Sequence, residues 1–485
     1  MVIKITNSYT GKKENWAPRV PGKASLYVCG VTVYDHCHLG HARSSIIFDV
    51  VRHYLEYKGL NVTYVKNYTD IDDKIIKRAN EEGKDWKDIS DKYIVAYEHD
   101  MARLGVQPPT KAPRATEHMS NIIDLIDGLI KKELAYEVDR DVYFEVKTFP
   151  AYGKLSKRNL DEMVPGSRVA VNVRKKDPLD FALWKGSNPG EPAWESPWGM
   201  GRPGWHIECS AMAIQHLGET FDLHGGGEDL IFPHHENEIA QSEGSTGKQY
   251  VGCWIHHGFV TIDQEKMSKS LGNFFTVHEI FEKWSQFPEA VTSEVIRYYL
   301  LSTHYRSPID FSDQSLNVAK SGLDNFYTLF QKVDEISTDF RDVRTGEDLD
   351  LSTFRTDFET AMDDDFNSAK AISILQSLRL EMNRRLGTEE KNWVLQACSL
   401  LKELGSVLGL FGVSKWHFKA GARVRTWHEI LSENADEDKV QNLIRERELA
   451  RKEKNWVRSD AIRLQLADAG IVIEDRPDGT TRIKR

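Results

Sequence analysis

The sequence predicts a doubly wound α/β domain on a parallel sheet, followed by a helical bundle and a small mixed α/β domain. Residues 25–28 form a short apolar run, and apolar residues then recur at helical spacing over 39–57. The same order of strand and helix repeats at 61–66 and 68–77, which is the pattern of doubly wound domains. Helical spacing over most of 316–413 predicts the bundle.

Composition limits the class of protein. The chain has 485 residues, of which 40% are hydrophobic, so three or four modules can each bury a core. No segment has the length of a membrane span, and residues 1–7 lack the features of a signal peptide, so we expect a cytoplasmic protein without a membrane partner. Five cysteines argue against a disulfide framework and leave metal chemistry open. The net charge of −10 does not exclude RNA, because large RNA-binding enzymes can be basic only locally.

Two histidines flank a glycine where the first strand leads into the first helix, in the sequence His38-Leu-Gly-His41. Ligands of parallel sheets bind beyond the carboxyl ends of the strands, and a helix N-terminus presents N–H groups to phosphate. Gly40 has no Cβ and lets a ligand approach closely. Taken alone, however, such a tetrapeptide is more often an incidental cap or loop.

A second motif lies far downstream, in the sequence Lys266-Met-Ser-Lys-Ser270. Lys266 and Lys269 lie three residues apart in a polar segment, and two mobile ammonium groups can bind the phosphates of a leaving pyrophosphate. A solvated basic loop is the plainer reading of any one such pentapeptide.

The ordered pair of motifs resembles the HIGH and KMSKS signatures of the class I aminoacyl-tRNA synthetases. Leu39 stands in place of isoleucine, a swap that conserves volume. The resemblance implies a Rossmann-like catalytic domain in which a few residues carry the reaction. The resemblance implies that the catalytic residues are His38, His41, Lys266 and Lys269. It implies that ATP is bound by these four together with Gly40 and Asp229.

The second half of the α/β domain carries further candidate ligands. A helix is predicted from 205 and a strand at 221–224, followed by three glycines that permit a backbone to approach a ligand closely. His234 and Glu238 are four apart and share a helix face, with Pro233 at the helix start. Such a pair is usually a surface pair. Adding Cys29, after a strand, and Cys209, on a helix, gives the donor set of a zinc site.

These four residues also match what cysteinyl-tRNA synthetases carry, and the resemblance extends over essentially the whole chain through the motifs at 68–76, 176–185 and 205–212. In that family zinc binds the substrate thiol. The chemistry agrees, because a pocket that reads shape alone separates cysteine from serine by only about 10²-fold, whereas a thiolate is much the better zinc ligand. Cys37, Cys253 and Cys398 are interpreted as structural.

The resemblance also implies a substrate pocket formed by Cys29, Thr69, Trp205 and His224. Trp205 would cover the bound amino acid, and core packing is its plain alternative. Asp229 would bind the ATP ribose, and helix capping is its plain alternative.

The pattern changes after the first half of the α/β domain, where proline, glycine and charge increase and residues 135–146 alternate as in a hairpin turning near Asp139. We interpret this as an insertion. In chain order, the predicted modules are the first half of the catalytic domain at 1–115, the insertion at 116–203, the second half at 204–250, a stem-contact region with the lysine motif at 251–315, the helical bundle at 316–425 and the anticodon-binding domain at 426–485.

The C-terminal part is predicted to hold a basic helix over 445–463, with seven Lys or Arg against four Asp or Glu, and a strand, turn and strand over 469–482. Such a charge run is as often a solvated helix face. In the family that the chain resembles, this tail belongs to the anticodon-binding module.

The predicted function is ligation of cysteine to tRNA-Cys through cysteinyl-adenylate, with ATP, L-cysteine and tRNA-Cys as partners, zinc in each chain, magnesium with ATP, and a monomeric state. One alternative is a cysteine ligase like those of mycothiol synthesis, which join cysteine to an amino sugar. Another is a catalytically silent RNA-binding protein. Lys74 and Lys77, with the lysine motif, also resemble motifs linked to pyridoxal-phosphate-dependent persulfide formation, although lysines on a helix face are normally just solvated.

Overall fold

The computed structural model describes residues 2–159, 174–262, 265–266, 275–336, 349–388, 390–414, 437–453, 455–468, 471, 473–475 and 481–483. The chain divides into two compact units. The first comprises residues 1–277, 300–311 and 356–372, and the second comprises 278–299, 312–355 and 373–485. None of the described helices combines the length and the apolar character that crossing a membrane would require.

The strands are β1 Lys4–Asn7, β2 Lys12–Asn15, β3 Lys23–Thr32, β4 Asn61–Thr69, β5 Ala135–Val138, β6 Asp141–Phe144, β7 Phe181–Gly186, β8 Gly201–Pro203, β9 Phe221–Gly227, β10 Val251–His257, β11 Val260–Ile262, β12 Glu265–Lys266, β13 Ile309–Asp310, β14 Ile473–Asp475 and β15 Thr481–Ile483. The α-helices are α1 Leu39–Tyr57, α2 Asp73–Glu82, α3 Trp86–Arg103, α4 Met119–Lys131, α5 Trp205–Leu217, α6 Glu236–Thr246, α7 Val277–Lys283, α8 Glu289–Leu301, α9 Asp313–Ile336, α10 Leu349–Asp363, α11 Ser368–Arg385, α12 Lys391–Val407, α13 Glu437–Lys452 and α14 Trp456–Asp468.

A four-stranded parallel sheet organises the first unit, in the order β4, β3, β9, β10. The chain passes outward from β3 to β4 through α1, and outward in the other direction from β9 to β10 through α6. Right-handed crossovers therefore place α1 and α6 on opposite faces, and the strand order reverses between β3 and β9. This confirms the doubly wound fold, whose ligand crevice lies at that reversal, beyond the carboxyl ends of β3 and β9.

Helix α1 has the bounds that its apolar spacing predicts. Its buried face includes Ile46, Ile47, Val50 and Val51, which pack against the sheet. The helix ends before Gly59, whose φ of +84° is left-handed and suits glycine.

The predicted hairpin is confirmed and belongs to a second, antiparallel sheet in the order β5, β6, β7, β8. Asp139 takes the left-handed conformation (φ 58°) in the two-residue turn between β5 and β6. A third sheet of three short strands has the order β12, β11, β13, with β11 parallel to β13. It carries the chain into the lysine motif.

Helices form most of the second unit, as the spacing predicts. Residues 337–348, between α9 and α10, lie outside the described residues. Arg297 is buried and donates from Nε to the carbonyl of Leu408 at 2.7 Å, which satisfies a carbonyl at the end of α12.

The single basic helix predicted over 445–463 is wrong, because two helices, α13 and α14, occupy this stretch. Asn455 caps α14: its side-chain oxygen accepts from the N–H of Arg458 at 3.2 Å, which ends one helix and begins the next. The two helices share a small core with the strand β14, formed by Ile444, Ile462, Leu466, Ile471 and Ile473. Strands β14 and β15 pair antiparallel, as predicted, while the predicted turn at 477–479 lies outside the described residues.

Candidate metal centre and nucleotide site

The four predicted metal ligands converge in the first unit. Cys29 comes from β3, Cys209 from α5, His234 from the kinked turn Ile231–His235 before α6, and Glu238 from α6. The two Sγ atoms lie 3.6 Å apart, and Cys29 Sγ lies 3.4 Å from His234 Nε2. His234 Nε2 lies 3.1 Å from Glu238 Oε1. All four side chains are buried, and their ligand atoms are close enough together to hold one metal ion.

Pro233 stands at a helix start, as predicted. Phe232 before it is extended (φ −139°, ψ 130°), the backbone is helical from Pro233, and this turn leads directly into α6 at Glu236. His234 and Glu238, four residues apart, therefore lie on one helix face.

The charges of the four side chains compensate one another. A hydrogen bond from Cys29 lowers the pKa of the Cys209 thiol to about 6, while burial and Cys209 raise the pKa of the Cys29 thiol well above its usual value. Burial opposes ionisation of Glu238 and of His234. The neighbouring His224 and His234 nevertheless hold the pKa of Glu238 well below its usual value, and Cys209 and Glu238 raise the pKa of His234 to about 10. Cys209 and Glu238 therefore already favour the forms that ligate metals, whereas His234 and Cys29 would release protons on binding one.

A second set of donors shares two members with the first: Cys29, His224, His235 and Glu238. Both added histidines have partners. His224 Nε2 lies 3.0 Å from Glu238 Oε2, and His235 Nδ1 lies 2.7 Å from His256 Nε2. Because His224 holds the carboxylate oxygen that faces away from Cys29 and His234, it fits the role of an orienting partner behind a ligand.

Trp205 covers the cluster. Its ring stacks on His234 with centroids 4.3 Å apart, and 39% of the residue remains exposed, which argues against the core-packing alternative. His206, the next residue, lies with Nδ1 2.8 Å from Nδ1 of His234, so the ring nitrogen opposite the cluster is held in place.

The predicted pocket residues lie beside these ligands. His224 is buried and stacks on Trp254 at 4.4 Å. Thr69 is buried at the end of β4, within 3.5 Å of the Asn67 amide nitrogen. Asn67 also accepts from the N–H of Gly30 at 2.9 Å, and a Cβ at Gly30 would lie only 1.5 Å from the Asn67 carbonyl oxygen. Only glycine fits after Cys29, so the tight contact between β3 and β4 fixes where that thiol points.

His38 and His41 cap α1 together. Gly40 N–H donates to His38 Nδ1 at 3.0 Å, and His38 N–H donates to His41 Nδ1 at 3.4 Å. The two rings stack with centroids 3.7 Å apart. Since each Nδ1 accepts, each neutral ring carries its proton on Nε2, which makes both rings hydrogen-bond donors at the N-terminus of a helix.

The lysine motif falls mostly outside the described residues. The backbone of Lys266 belongs to β12, paired with Thr261, while Lys269 lies in 267–274 and is not described. The chain on the far side of this segment is described and meets the histidine motif: Leu39 N–H donates to the carbonyl of Phe275 at 3.2 Å.

At Gly225 and Gly226, two of the three glycines at 225–227, the space that a side chain would need is occupied by rings of the chain. A Cβ at Gly225 would lie 2.2 Å from the ring of Phe48, and one at Gly226 would lie 2.9 Å from the ring of His235. The room they leave is thus filled by the chain itself. At Gly227 the nearest atom is Oδ1 of Asp229, at 2.5 Å from that position, so Asp229 does lie at the carboxyl end of β9.

Comparison with known proteins identifies the family. The family model described as "tRNA synthetases class I (C) catalytic domain" matches residues 16–321, the DALR domain matches 357–412, and the "Cysteinyl-tRNA ligase anticodon binding domain" matches 437–481. A cysteine–tRNA ligase of Geobacter metallireducens is 51% identical over 492 residues, and one of Geobacter sulfurreducens is 49% identical over 487, each covering 99% of both chains. The chain belongs to the cysteine–tRNA ligase family.

Solved structures of other tRNA synthetases share the fold of this ligase. A leucyl-tRNA synthetase of Agrobacterium radiobacter, solved with tRNA, aligns with a TM-score of 0.59 at 12% identity, over 82% of this chain and 86% of that one. A Mycobacterium tuberculosis methionyl-tRNA synthetase with methionyl-adenylate gives 0.56 at 14%, over 80% and 89%.

Sequence reasoning missed several residues around the candidate metal ligands. Tyr250, His206 and His256 contact its members or their partners, at separations along the chain that give no periodic signal. His235 adjoins a predicted ligand and was therefore the one that proximity could have suggested. The remaining cysteines fit the structural interpretation: Cys37, Cys253 and Cys398 are buried.

Proposed function

We propose that this chain activates L-cysteine with ATP to form cysteinyl-adenylate and then transfers the cysteinyl group to the 3′ end of tRNA-Cys. The observation that carries the proposal is the buried cluster of Cys29, Cys209, His234 and Glu238 beside the histidine motif, in a chain of the cysteine–tRNA ligase family.

We propose zinc as the metal of this cluster. Zinc bonds of about 2.3 Å to sulfur and 2.0–2.1 Å to nitrogen give tetrahedral edges of ~3.8 Å between two sulfurs and ~3.5 Å between sulfur and nitrogen. The distances of 3.6 and 3.4 Å in the cluster support that size. Zinc would supply a binding position for the substrate thiolate, for which a serine hydroxyl is a poor substitute.

The chain's own residues would hold the amino acid around that position. Trp205 covers the cluster and reduces the access of water, while Thr69 and His224 line its sides. Since the thiol is fixed at one end, the carboxylate of cysteine would be directed toward the α-phosphate of ATP by position alone, which lowers the entropic part of the barrier.

The nucleotide would lie at the N-terminus of α1. His38 and His41 would donate from Nε2 to phosphate oxygens, Lys266 and Lys269 would neutralise the departing pyrophosphate, and Asp229 would accept from the ribose hydroxyls. Gly40 leaves the approach open. Magnesium would accompany ATP as its counterion. No residue of the chain needs to form a covalent intermediate.

Pyridoxal phosphate is not part of this proposal. Lys74 Nζ lies 5.3 Å from the centre of the Tyr34 ring, and Lys77 lies 3.8 Å from Glu81 on an exposed helix face. These are ordinary contacts of surface lysines and give no independent support to a cofactor site.

We propose that the modules act as the sequence predicts, with 426–485 reading the anticodon of tRNA-Cys, and that the enzyme works in the cytoplasm as a monomer. The small core of α13, α14 and β14 supports a separable tail. Of its basic residues, Arg447 is buried and paired with Asp475, and Arg458 pairs with Glu446 at 2.6 Å, so these two serve the fold.

The experiment that tests the proposal is ATP–pyrophosphate exchange by the purified full chain with single amino acids. We expect exchange with cysteine, and exchange at least ~10²-fold slower with serine. A pocket that recognises shape alone would reach no more than about that factor. Transfer of cysteine to tRNA-Cys, without transfer to an amino sugar, would distinguish this function from that of the mycothiol-type ligases. If none of the amino acids supports exchange, the proposal is refuted.

Truncation before Thr426 tests the role of the tail. We expect the shortened protein to keep cysteine-dependent exchange, because the metal cluster and the histidine motif lie in the other compact unit. Charging of tRNA should fall strongly and lose its dependence on the anticodon, since unstacked bases carry sequence reading in RNA. Charging kinetics with wild-type and anticodon-substituted tRNA measure this. Equal charging by both proteins, with the same anticodon dependence, would rule out the tail as the reader.

A further inference from the structure

Arg43 is fully buried in the first unit, and it lies in α1 two residues after His41 of the histidine motif. Four hydrogen bonds from its guanidinium go to backbone carbonyls. Nη1 donates to Gly258 at 2.8 Å and to Phe259 at 2.7 Å, and Nη2 donates to Tyr305 at 3.1 Å and to Ser307 at 2.5 Å. One side chain thus joins two segments that are distant in sequence.

Both segments lead directly into the three-stranded sheet that carries the lysine motif. Residues 258–259 precede β11, which pairs with β12, and residues 305–307 precede β13, which pairs with β11. Two of these carbonyls also accept backbone hydrogen bonds that join the two segments. The carbonyl of Phe259 accepts from Ile309 N–H at 2.9 Å, and that of Tyr305 accepts from Gly258 N–H at 3.0 Å. Arg43 therefore binds at the base of the sheet and stabilises its register.

The chain is anchored to the same helix after the lysine motif. Phe275 accepts from Leu39 N–H at 3.2 Å, Val277 N–H donates to Cys37 at 3.0 Å, and His38 forms a β-bridge with Thr276. The start of α1 consequently fixes the chain on both sides of 267–274, through Arg43 before it and through residues 37–39 after it.

We propose that Arg43 is a positioning residue that sets the three-stranded sheet carrying Lys266 in register with the histidine motif for adenylate formation. The proposal rests on the function proposed above. A guanidinium suits this task because its planar fork donates several hydrogen bonds in fixed directions while remaining charged, whereas an ammonium lacks that geometry. A misplacement of about 1 Å at a reacting centre can cost ~10²-fold in rate, so a small loss of register has a large effect.

The test is single-turnover adenylate formation by the full-length enzyme carrying Arg43→Gln or Arg43→Lys. We expect Arg43→Gln to lower the rate constant by ~10²-fold and Arg43→Lys to restore part of it, with the KM for cysteine and the zinc content unchanged. Transfer of cysteine to tRNA from preformed adenylate should also keep its rate, because the pyrophosphate has already left. If Arg43 had a purely structural role, its replacement would lower the stability, the metal content, the rate of adenylate formation and the rate of transfer to tRNA together.

Gly258→Ala provides a variant that leaves Arg43 intact. A Cβ there would lie 2.7 Å from the carbonyl carbon of Ser307 and 2.8 Å from the nitrogen of Pro308, so it must push the two anchored segments apart. We expect the same selective loss of adenylate formation, of about 10-fold or more.

Arg297→Gln is the matched control, since Arg297 is a buried arginine that donates to a carbonyl in the other compact unit. It should lower the melting temperature without lowering adenylate formation. The proposal is overturned if Arg43→Gln retains the wild-type rate, or if it loses cysteine affinity and zinc in parallel with rate. A wild-type enzyme without cysteine-dependent exchange would instead refute the proposed function.

Discussion

Changing Cys209 to serine is expected to release the bound metal and to lower cysteine-dependent adenylate formation by at least ~10²-fold. Cys209 is the ligand whose pKa is lowered to about 6, so it is the thiolate of the cluster at neutral pH. A serine hydroxyl stays protonated and is a poor ligand for a soft site. Losing a direct ligand should exceed the 10- to 100-fold effects typical of residues behind the ligands. Metal analysis and pyrophosphate exchange on the same preparation measure both effects.

Two variants control this result. Cys253→Ser removes another buried thiol, in β10, and should retain both the metal and the activity. His235→Gln distinguishes the two donor sets, because His235 belongs only to the second and Cys209 only to the first. If Cys209→Ser keeps a full equivalent of metal while His235→Gln loses it, the ligands are Cys29, His224, His235 and Glu238, and our assignment is wrong.

Periodicity and local chemistry were sufficient for the elements that depend on neighbours in sequence. The helix Leu39–Tyr57 follows from apolar spacing. The strand predicted at 61–66 is present but continues to Thr69, and the helix predicted at 68–77 begins only at Asp73 and ends at Glu82. The prediction of one helix over 445–463 failed because helical spacing continues through Asn455 without interruption. The break between the two helices depends on the Asn455 side chain, which caps the second helix.

The site shows a different limit. Local spacing joined only His234 and Glu238 among its four candidate ligands. Cys29 and Cys209 were added by residue type and matched the resemblance, because they are 180 residues apart in the chain and meet only where α5 packs near β3. Arg43 had no signal at all, since its acceptors are backbone carbonyls, and any residue type has a carbonyl. Contacts of this kind become visible only when the fold is known.

Replacing Lys269 with alanine should lower adenylate formation by at least ~10²-fold, about 2.7 kcal/mol of transition-state stabilisation. The negative charge that develops as pyrophosphate leaves needs a cation that moves with it. Lys269 lies between two described points, Lys266, which pairs with Thr261, and Phe275, which accepts from Leu39 in the histidine motif. The KM for cysteine should stay within about twofold of the wild-type value, because the metal cluster that would bind the thiol is formed by other elements.

The control for charge alone is Lys283→Ala, a half-exposed lysine in α7 that pairs with Asp313 at 2.5 Å. Exposed pairs contribute only about 0–1 kcal/mol to stability, so this variant should keep its adenylate rate. Single-turnover measurements across a range of ATP and cysteine concentrations separate the two kinetic effects. If Lys269→Ala weakens cysteine binding while the chemical step stays intact, the lysine belongs to the amino acid pocket, and the motif does not act on pyrophosphate.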